Sequence, residues 1–229
     1  MVRKTKQDAL ATRNLILDTA ECVFQRRGVA ATSLQEIAQA AGMTRGAIYW
    51  HFQNKADVFA AMMERVVLPL EHALEASDAL ERSDPLGVLC RGVDDLLAKL
   101  VHDPQVRRVF EIATLKVEYA GDLQVLRERR VRSRDACMAD LERLFTLAAV
   151  QGQIDATLPP AVAARGLCAL VDGLMLNWLL DPQAFDRYAV TQTPSFVLVR
   201  DGAGAAPCTS GLCVPGNGYV IAAGDVSQL

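Results

Sequence analysis

Apolar side chains recur with the helical period through about the first 180 residues and lose that period beyond them. In residues 12–27, Leu15, Ile16, Ala20, Val23 and Phe24 share one face of a helix. Thr12 or Asp8 is placed to cap its start, and Gly28 follows its end as a left-handed stop residue would. "TSLQEIAQAAG" predicts a second helix, capped by Thr32 or Ser33, with Glu36 completing a capping box and Gly42 ending it. "TRGAIYWHF" predicts a third, capped by Thr44. "NKADVFAAMMERVVLPLEHALEAS" opens a fourth at Asn54, with a kink expected at Pro69.

"DPLGVLCRGVDDLLAKLV" and "DPQVRRVFEIATLKVEY" both begin with an Asp cap and a proline in the first turn. "DLQVLRERRVRSRDACMADLERLFTLAAVQGQ" is long and amphipathic and ends near Gly152. "PPAVAARGLCALVDGLMLNWLL" is nearly all apolar and is expected to be covered on most sides. The predicted fold class is therefore all-α: eight helices with short connections up to Asp181. After residue 189, "SFVLVR" and "GYVIAAG" are strand-like, with Gly, Pro, Ser and Asn between them. Three segments follow: a helix-turn-helix domain at 1–55, a helical domain at 56–188, and an atypical tail at 189–229 that is disordered or derived from a fusion or frame shift.

Composition adds direction to this outline. The chain has 229 residues, 51% hydrophobic and 22% charged, enough to bury a sizeable core. Its net charge of −3 hides an asymmetry: residues 1–55 hold eight Lys and Arg against four Asp and Glu, so a basic head sits on an acidic remainder. No uninterrupted apolar run reaches the ~18 residues of a membrane span, and the charged N-terminus leads into no apolar signal region. A cytoplasmic location without membrane contact is expected. Cys22, Cys90, Cys137 and Cys168 sit among apolar residues and read as small core residues of a reduced protein. Cys208 and Cys213 form a lone C-x4-C pair, too little for a metal site, and no metal or cofactor is expected. No Gly-rich phosphate loop, zinc spacing or nucleophile pattern points to an enzyme.

Two short helices joined by "AAGMT" make a helix-turn-helix, and the second such helix enters the DNA major groove. That assigns roles within "TRGAIYWHF". Gly46 and Ala47 allow close approach of the backbone, Arg45 suits guanine O6 and N7, and Thr44 reaches a phosphate or a thymine methyl. Tyr49, Trp50 and His51 offer donors to phosphates, while Ile48 and Phe52 face the core. Lys55 stands in the first turn of the fourth helix, where N–H groups already favour an anion. Ser33, at the entry to the second helix, is counted with the DNA-contacting set.

"ILDTAECVFQRRGVAATSLQEIAQAAGMTRGAIYWHFQNKADVF" resembles the DNA-binding domain of TetR-family transcriptional repressors. "MVRKTK", "TRGAIYWHF" and "DPLGVL" look most like the AcrR/TtgR branch, which represses multidrug efflux pumps, and the likeness continues more weakly to residue 182. The resemblance implies a palindromic double-stranded operator, a homodimer, and a hydrophobic or cationic drug-like ligand held by helices five to eight. The fourth helix would carry the change to the head. Glu118, Asp172 and Asn177 are the implied polar pocket residues, and Phe110, Thr114, Cys137, Leu141, Cys168 and Met175 are the implied walls; ion pairing, capping or plain packing would equally employ each of them. The family ends in a ninth helix that completes a four-helix dimer interface, and the tail at 189–229 stands in its place here. The expected function is a drug-released efflux repressor. The rivals are a variant unable to dimerise normally and a redox regulator working through Cys208 and Cys213.

Overall fold

Short polar side chains start several helices of this chain, and glycines follow some of them. Ser33 Oγ accepts from the Glu36 N–H at 3.2 Å while Glu36 Oε2 accepts from the Ser33 N–H at 2.8 Å, the expected capping box. Thr44 Oγ1 accepts from the Ala47 N–H at 3.2 Å, and Asn54 Oδ1 from the Asp57 N–H at 2.9 Å. Asp103 Oδ1 takes up the N–H groups of Gln105 and Val106. Gly28 and Gly42 have φ of +81° and +66°, where a Cβ would meet the following carbonyl.

The computed structural model describes residues 6–74 and 82–183. Among them are eight α-helices and no strand: α1 (Lys6–Arg27), α2 (Leu34–Ala40), α3 (Arg45–His51), α4 (Lys55–Leu74), α5 (Pro85–His102), α6 (Pro104–Leu115), α7 (Gln124–Val150) and α8 (Pro160–Leu180). A 3-10 turn, Gly121–Leu123, leads into α7. The all-α class and the helix-turn-helix are as the hydrophobic period predicts. The strand-like tail at 189–229 and the Cys208–Cys213 pair lie outside the described residues.

Several details differ from the sequence reading. Helix α1 begins by Lys6, and Thr12 donates to the Asp8 carbonyl at 2.7 Å from within it, so Thr12 is no cap. Its buried face is Ile16, Leu17, Ala20, Glu21, Val23 and Phe24, whereas Leu15 is exposed. Leu15 lies about 100° round the helix from Ile16, on the far side from Ala20. Helix α4 runs on through Pro69. The cysteines are not small core residues: Cys22 and Cys137 are exposed, and Cys90 and Cys168 are half-buried.

The described residues of 1–72 and 102–132 form one compact unit, and those of 73–101 and 133–229 a second. In the first, α1, α2, α3, α4 and α6 all contribute fully buried side chains, among them Phe24, Ile37, Ile48, Met62 and Ile112. In the second, Val88 and Leu89 of α5 pack with Leu144, Phe145 and Ala148 of α7 and with Ala163 and Ala164 of α8, around Ile154.

Helix α8 is, by length and composition alone, apolar enough to cross a bilayer. It packs one side, through Ala163, Ala164, Met175, Trp178 and Leu179, and leaves Val162, Leu176 and Leu180 exposed. The near-complete cover expected from its composition is not provided within the described residues.

Candidate nucleic-acid interface and effector region

The turn between α2 and α3 closes through Gly42, whose N–H donates to the Gln39 carbonyl, and Met43, whose N–H donates to that of Ala38 at 2.8 Å. The seven residues of α3 then divide by face. Ile48 is fully buried and Phe52, just past the helix, nearly so, which anchors α3 on the head. Thr44, Arg45, Gly46, Tyr49 and Trp50 are exposed on the other side, with Ala47 and His51 half-buried. Trp50 keeps 72% of its surface in solvent. The Arg45 guanidinium sits over the Tyr49 ring at 5.3 Å, and the Trp50 and His51 rings meet edge-on at 4.5 Å. These contacts pre-orient four of the predicted DNA-facing side chains. A Cβ at Gly46 would meet no protein atom within 4 Å, so the protein's own packing does not require glycine there.

Two members of the predicted set are already engaged. The Ser33 hydroxyl is taken up in the capping box and donates to Glu36 Oε2 at 2.9 Å. Lys55 Nζ donates to the Ala30 carbonyl at 2.8 Å, which leaves two ammonium N–H groups for another partner. Ser33, Tyr49 and Lys55 nevertheless line one open concavity, together with Thr32, Gln53 and Asn54.

Sequence reasoning missed a polar seam behind this surface. Glu21 is 1% exposed on α1. It accepts from Arg65 of α4 and from Gln105 Nε2 of α6 at 3.0 Å, and Arg108 lies 3.8 Å away. Arg65 also pairs with Asp18 at 2.8 Å. Further along, Gln25 donates to Glu111 at 2.8 Å and the Val29 N–H to the Lys116 carbonyl at 2.9 Å. Helix α6 is thereby tied to α1 at its start, middle and end. The resemblance pointed to the fourth helix alone as the link to the head. The available signal was Glu21, an acid at the position where the apolar stripe of α1 calls for a hydrophobic residue.

The expected pocket residues are distributed over both units. Phe110 and Thr114, half-buried on α6, and Glu118, exposed beyond it, belong to the first. Cys137, Leu141, Cys168, Asp172, Met175 and Asn177 belong to the second. Met175 is buried, and Leu141 and Cys168 are half-buried. Asp172 and Asn177 are exposed rather than embedded, and Asn177 Nδ2 donates to the Gly173 carbonyl of its own helix. Apolar neighbours in sequence did not bury them, because successive helical residues point about 100° apart. Cys137 and Cys168 are hydrogen-bonded to each other, with Asp172 close by. The Cys168 thiol is lowered to about 7, first by that bond, while the same bond and burial raise Cys137.

A further carboxylate was not singled out. Asp94 of α5 has one oxygen sealed from solvent with no hydrogen-bond partner among the described residues. Burial, and then the Asp95 charge, raise its carboxyl above the usual range. It stands on the helical face of Cys90 and Leu97, so a reading of α5 by face would have found it.

A buried-anchor helix-turn-helix with an exposed recognition face, followed by a larger helical body, defines the class of DNA-binding regulators. Residues 16–62 match the model of bacterial regulatory proteins of the tetR family, and residues 84–198 match that of the MAATS-type transcriptional repressor C-terminal region. The chain belongs to the TetR family of transcriptional regulators. The HTH-type transcriptional regulator TtgR of Pseudomonas putida is 38% identical over 186 residues, covering 81% of this chain and 89% of TtgR. The crystal structure of NalD, the secondary repressor of the MexAB-OprM multidrug efflux pump of Pseudomonas aeruginosa, superposes with a TM-score of 0.76 at 36% identity. That match covers 86% of this chain and all of NalD. The SmeT–triclosan complex, SmeT being the repressor of a Stenotrophomonas maltophilia efflux pump, gives a TM-score of 0.73 at 33% identity, covering 90% of this chain and all of that one. These relatives place the chain in the AcrR/TtgR-like branch. The expected replacement of the family's ninth helix falls on residues 189–229, outside the described residues.

Proposed function

We propose that this protein represses a multidrug efflux operon, binds a palindromic operator as a homodimer through α3, and leaves it when an amphipathic, preferably cationic, compound binds the helical body. The observation that carries the DNA part is the exposed row Thr44, Arg45, Tyr49 and Trp50 on a helix anchored by fully buried Ile48. Trp50 and Tyr49 are large amphipathic side chains in water with donors at their tips, the form suited to phosphate contact. Arg45 is the base reader and Lys55 a phosphate partner with two N–H groups still available. The efflux part rests on relatives whose printed descriptions are those of efflux-pump repressors. The effector part rests on Asp94, a carboxylate without a partner among the described residues, which favours a cation over a neutral guest. The exposed Val162, Leu176 and Leu180 of α8 supply an apolar face for the second subunit.

Footprinting of the full chain on the DNA upstream of its own gene tests this reading. Protection of an inverted repeat is expected, with release by micromolar cationic amphiphiles. Absence of any protected repeat, or an unchanged footprint with Trp50→Ala, would overturn it.

A further inference from the structure

The regulator reading makes no use of thiol chemistry, yet the second unit brings two thiols together. Helices α7 and α8 are joined by residues 151–159 and pack through Leu144, Phe145 and Ala148 against Ala163 and Ala164, with Leu141 and Leu167 at the edge of the cluster. Cys137 stands one turn before Leu141 on α7, and Cys168 one turn after Ala164 on α8. Both therefore continue the same helix–helix seam to its outer side, where they stand beside each other across it. Cys137 is exposed and Cys168 half-buried, so a small oxidant has access to the pair. Arg134 on α7 favours a thiolate at Cys168, against the nearby Asp172.

We propose that Cys137 and Cys168 are a hydroperoxide-oxidisable dithiol that closes to a disulfide between α7 and α8. The Cys168 thiolate attacks the O–O bond of a hydroperoxide; the bond breaks, the distal oxygen stays on sulfur as a sulfenic acid, and the alkoxide leaves as the alcohol, or as water when the oxidant is hydrogen peroxide. Cys137 sulfur then attacks Cys168 sulfur, the S–O bond breaks, and the hydroxyl departs as water with the Cys137 proton. Two thiols and one hydroperoxide yield one disulfide, one water and one alcohol; sulfur is oxidised and the peroxide oxygen reduced. A small-molecule dithiol reverses the change. The disulfide staples the two helices at the end of the seam remote from their connection. Oxidant sensing thus becomes a second input, separate from effector binding.

The test uses the full chain carrying Cys208→Ser and Cys213→Ser, so that the pair near the C-terminus cannot contribute. Treatment with a few equivalents of hydrogen peroxide should remove two of the four remaining free thiols, counted by maleimide mass shift. Peptide mapping should then recover a fragment joining residue 137 to residue 168, absent after reduction. With Cys137→Ser added, Cys168 should be trapped as sulfenic acid by dimedone. With Cys168→Ser added, Cys137 has no partner thiol across the seam, so the joined fragment should be absent after peroxide treatment. Far-UV circular dichroism checks that these variants fold, and the linked peptide needs neither of them. Failure to find that peptide in peroxide-treated protein would overturn the proposal.

Discussion

Trp50 leaves 72% of a large apolar ring in water, which a folded chain has little reason to do for its own stability. Its neighbours Ile48 and Phe52 show that the same helix buries apolar groups where it can. Arg45 stands over Tyr49 on this exposed side, with its guanidinium fork presented for two parallel hydrogen bonds. Arg45→Ala should therefore relax preference at one operator base pair, by roughly 1–3 kcal/mol, while Trp50→Ala weakens binding to all sequences alike; gel shifts against single-base operator variants distinguish the two. Asp94 makes the opposite case, a charge kept where it costs stability. Its carboxyl is raised, so the folded state holds its proton to higher pH than the unfolded chain does, and stability falls as pH rises from the ordinary carboxylate range towards the folded value. Asp94→Asn should remove that fall, raising the urea midpoint at pH 7 but not at pH 4, and should weaken release by cationic effectors. An unchanged midpoint at pH 7 would mean that the carboxylate is paired in solution.

At the scale of elements, caps and ties decide behaviour more than propensity does. Asp84 starts α5 by accepting from the Gly87 N–H at 3.0 Å, with Gln153 Nε2 donating at 3.1 Å and Arg91 at 3.5 Å. The Gly87 bond first, then Gln153 and Arg91, hold its carboxyl below the usual range against the cost of burial. A depressed pKa places this stabilisation above the ordinary carboxylate value and removes it as pH falls through the folded one. Asp84→Ala should cost about 1 kcal/mol at neutral pH, and the difference from wild type should shrink below about pH 4; urea melts across that range measure it. Helices α1, α4 and α6 depend on Glu21, whose loss would leave Arg65 without its nearly buried partner. Glu21→Ala should cost about 3–5 kcal/mol. Glu21→Gln, which can still accept from Gln105, should cost less while altering the ratio of operator affinities with and without effector.

For the whole molecule the governing relation is linkage. An effector releases the operator only by the factor with which it prefers the non-binding conformation, and the operator must weaken effector binding by the same factor. Titrations in both directions should give the same finite ratio; a ratio that keeps growing as either compound is raised would mean that the two compete for one surface. The ties of α6 to α1, at Gln105–Glu21, Glu111–Gln25 and Lys116–Val29, give a physical element that both events can bias. The functional division at residue 55 is kept as a proposal. By its contacts, α6 groups with the head's unit although it follows α5 in sequence.

Helix positions, caps and the two faces of α3 were legible in the sequence because they depend on local chemistry. A serine three residues before a glutamate, a glycine after an apolar stripe, and aromatics at successive 100° steps act over one turn of chain. Membership of the family was legible for the same reason, since its signature lies in that contiguous head. Contacts between distant segments were not. Nothing local says that Glu21 meets Arg65, Gln105 and Arg108, or that Lys55 reaches back to Ala30. Nor does composition tell which side of an apolar helix is left open: Asp172 and Asn177 face solvent within an apolar stretch, and Cys137 and Cys168, far apart in sequence, come to one helix–helix seam. Helix period specifies directions around one axis; only the packing of one axis against another decides which directions are covered and which side chains meet.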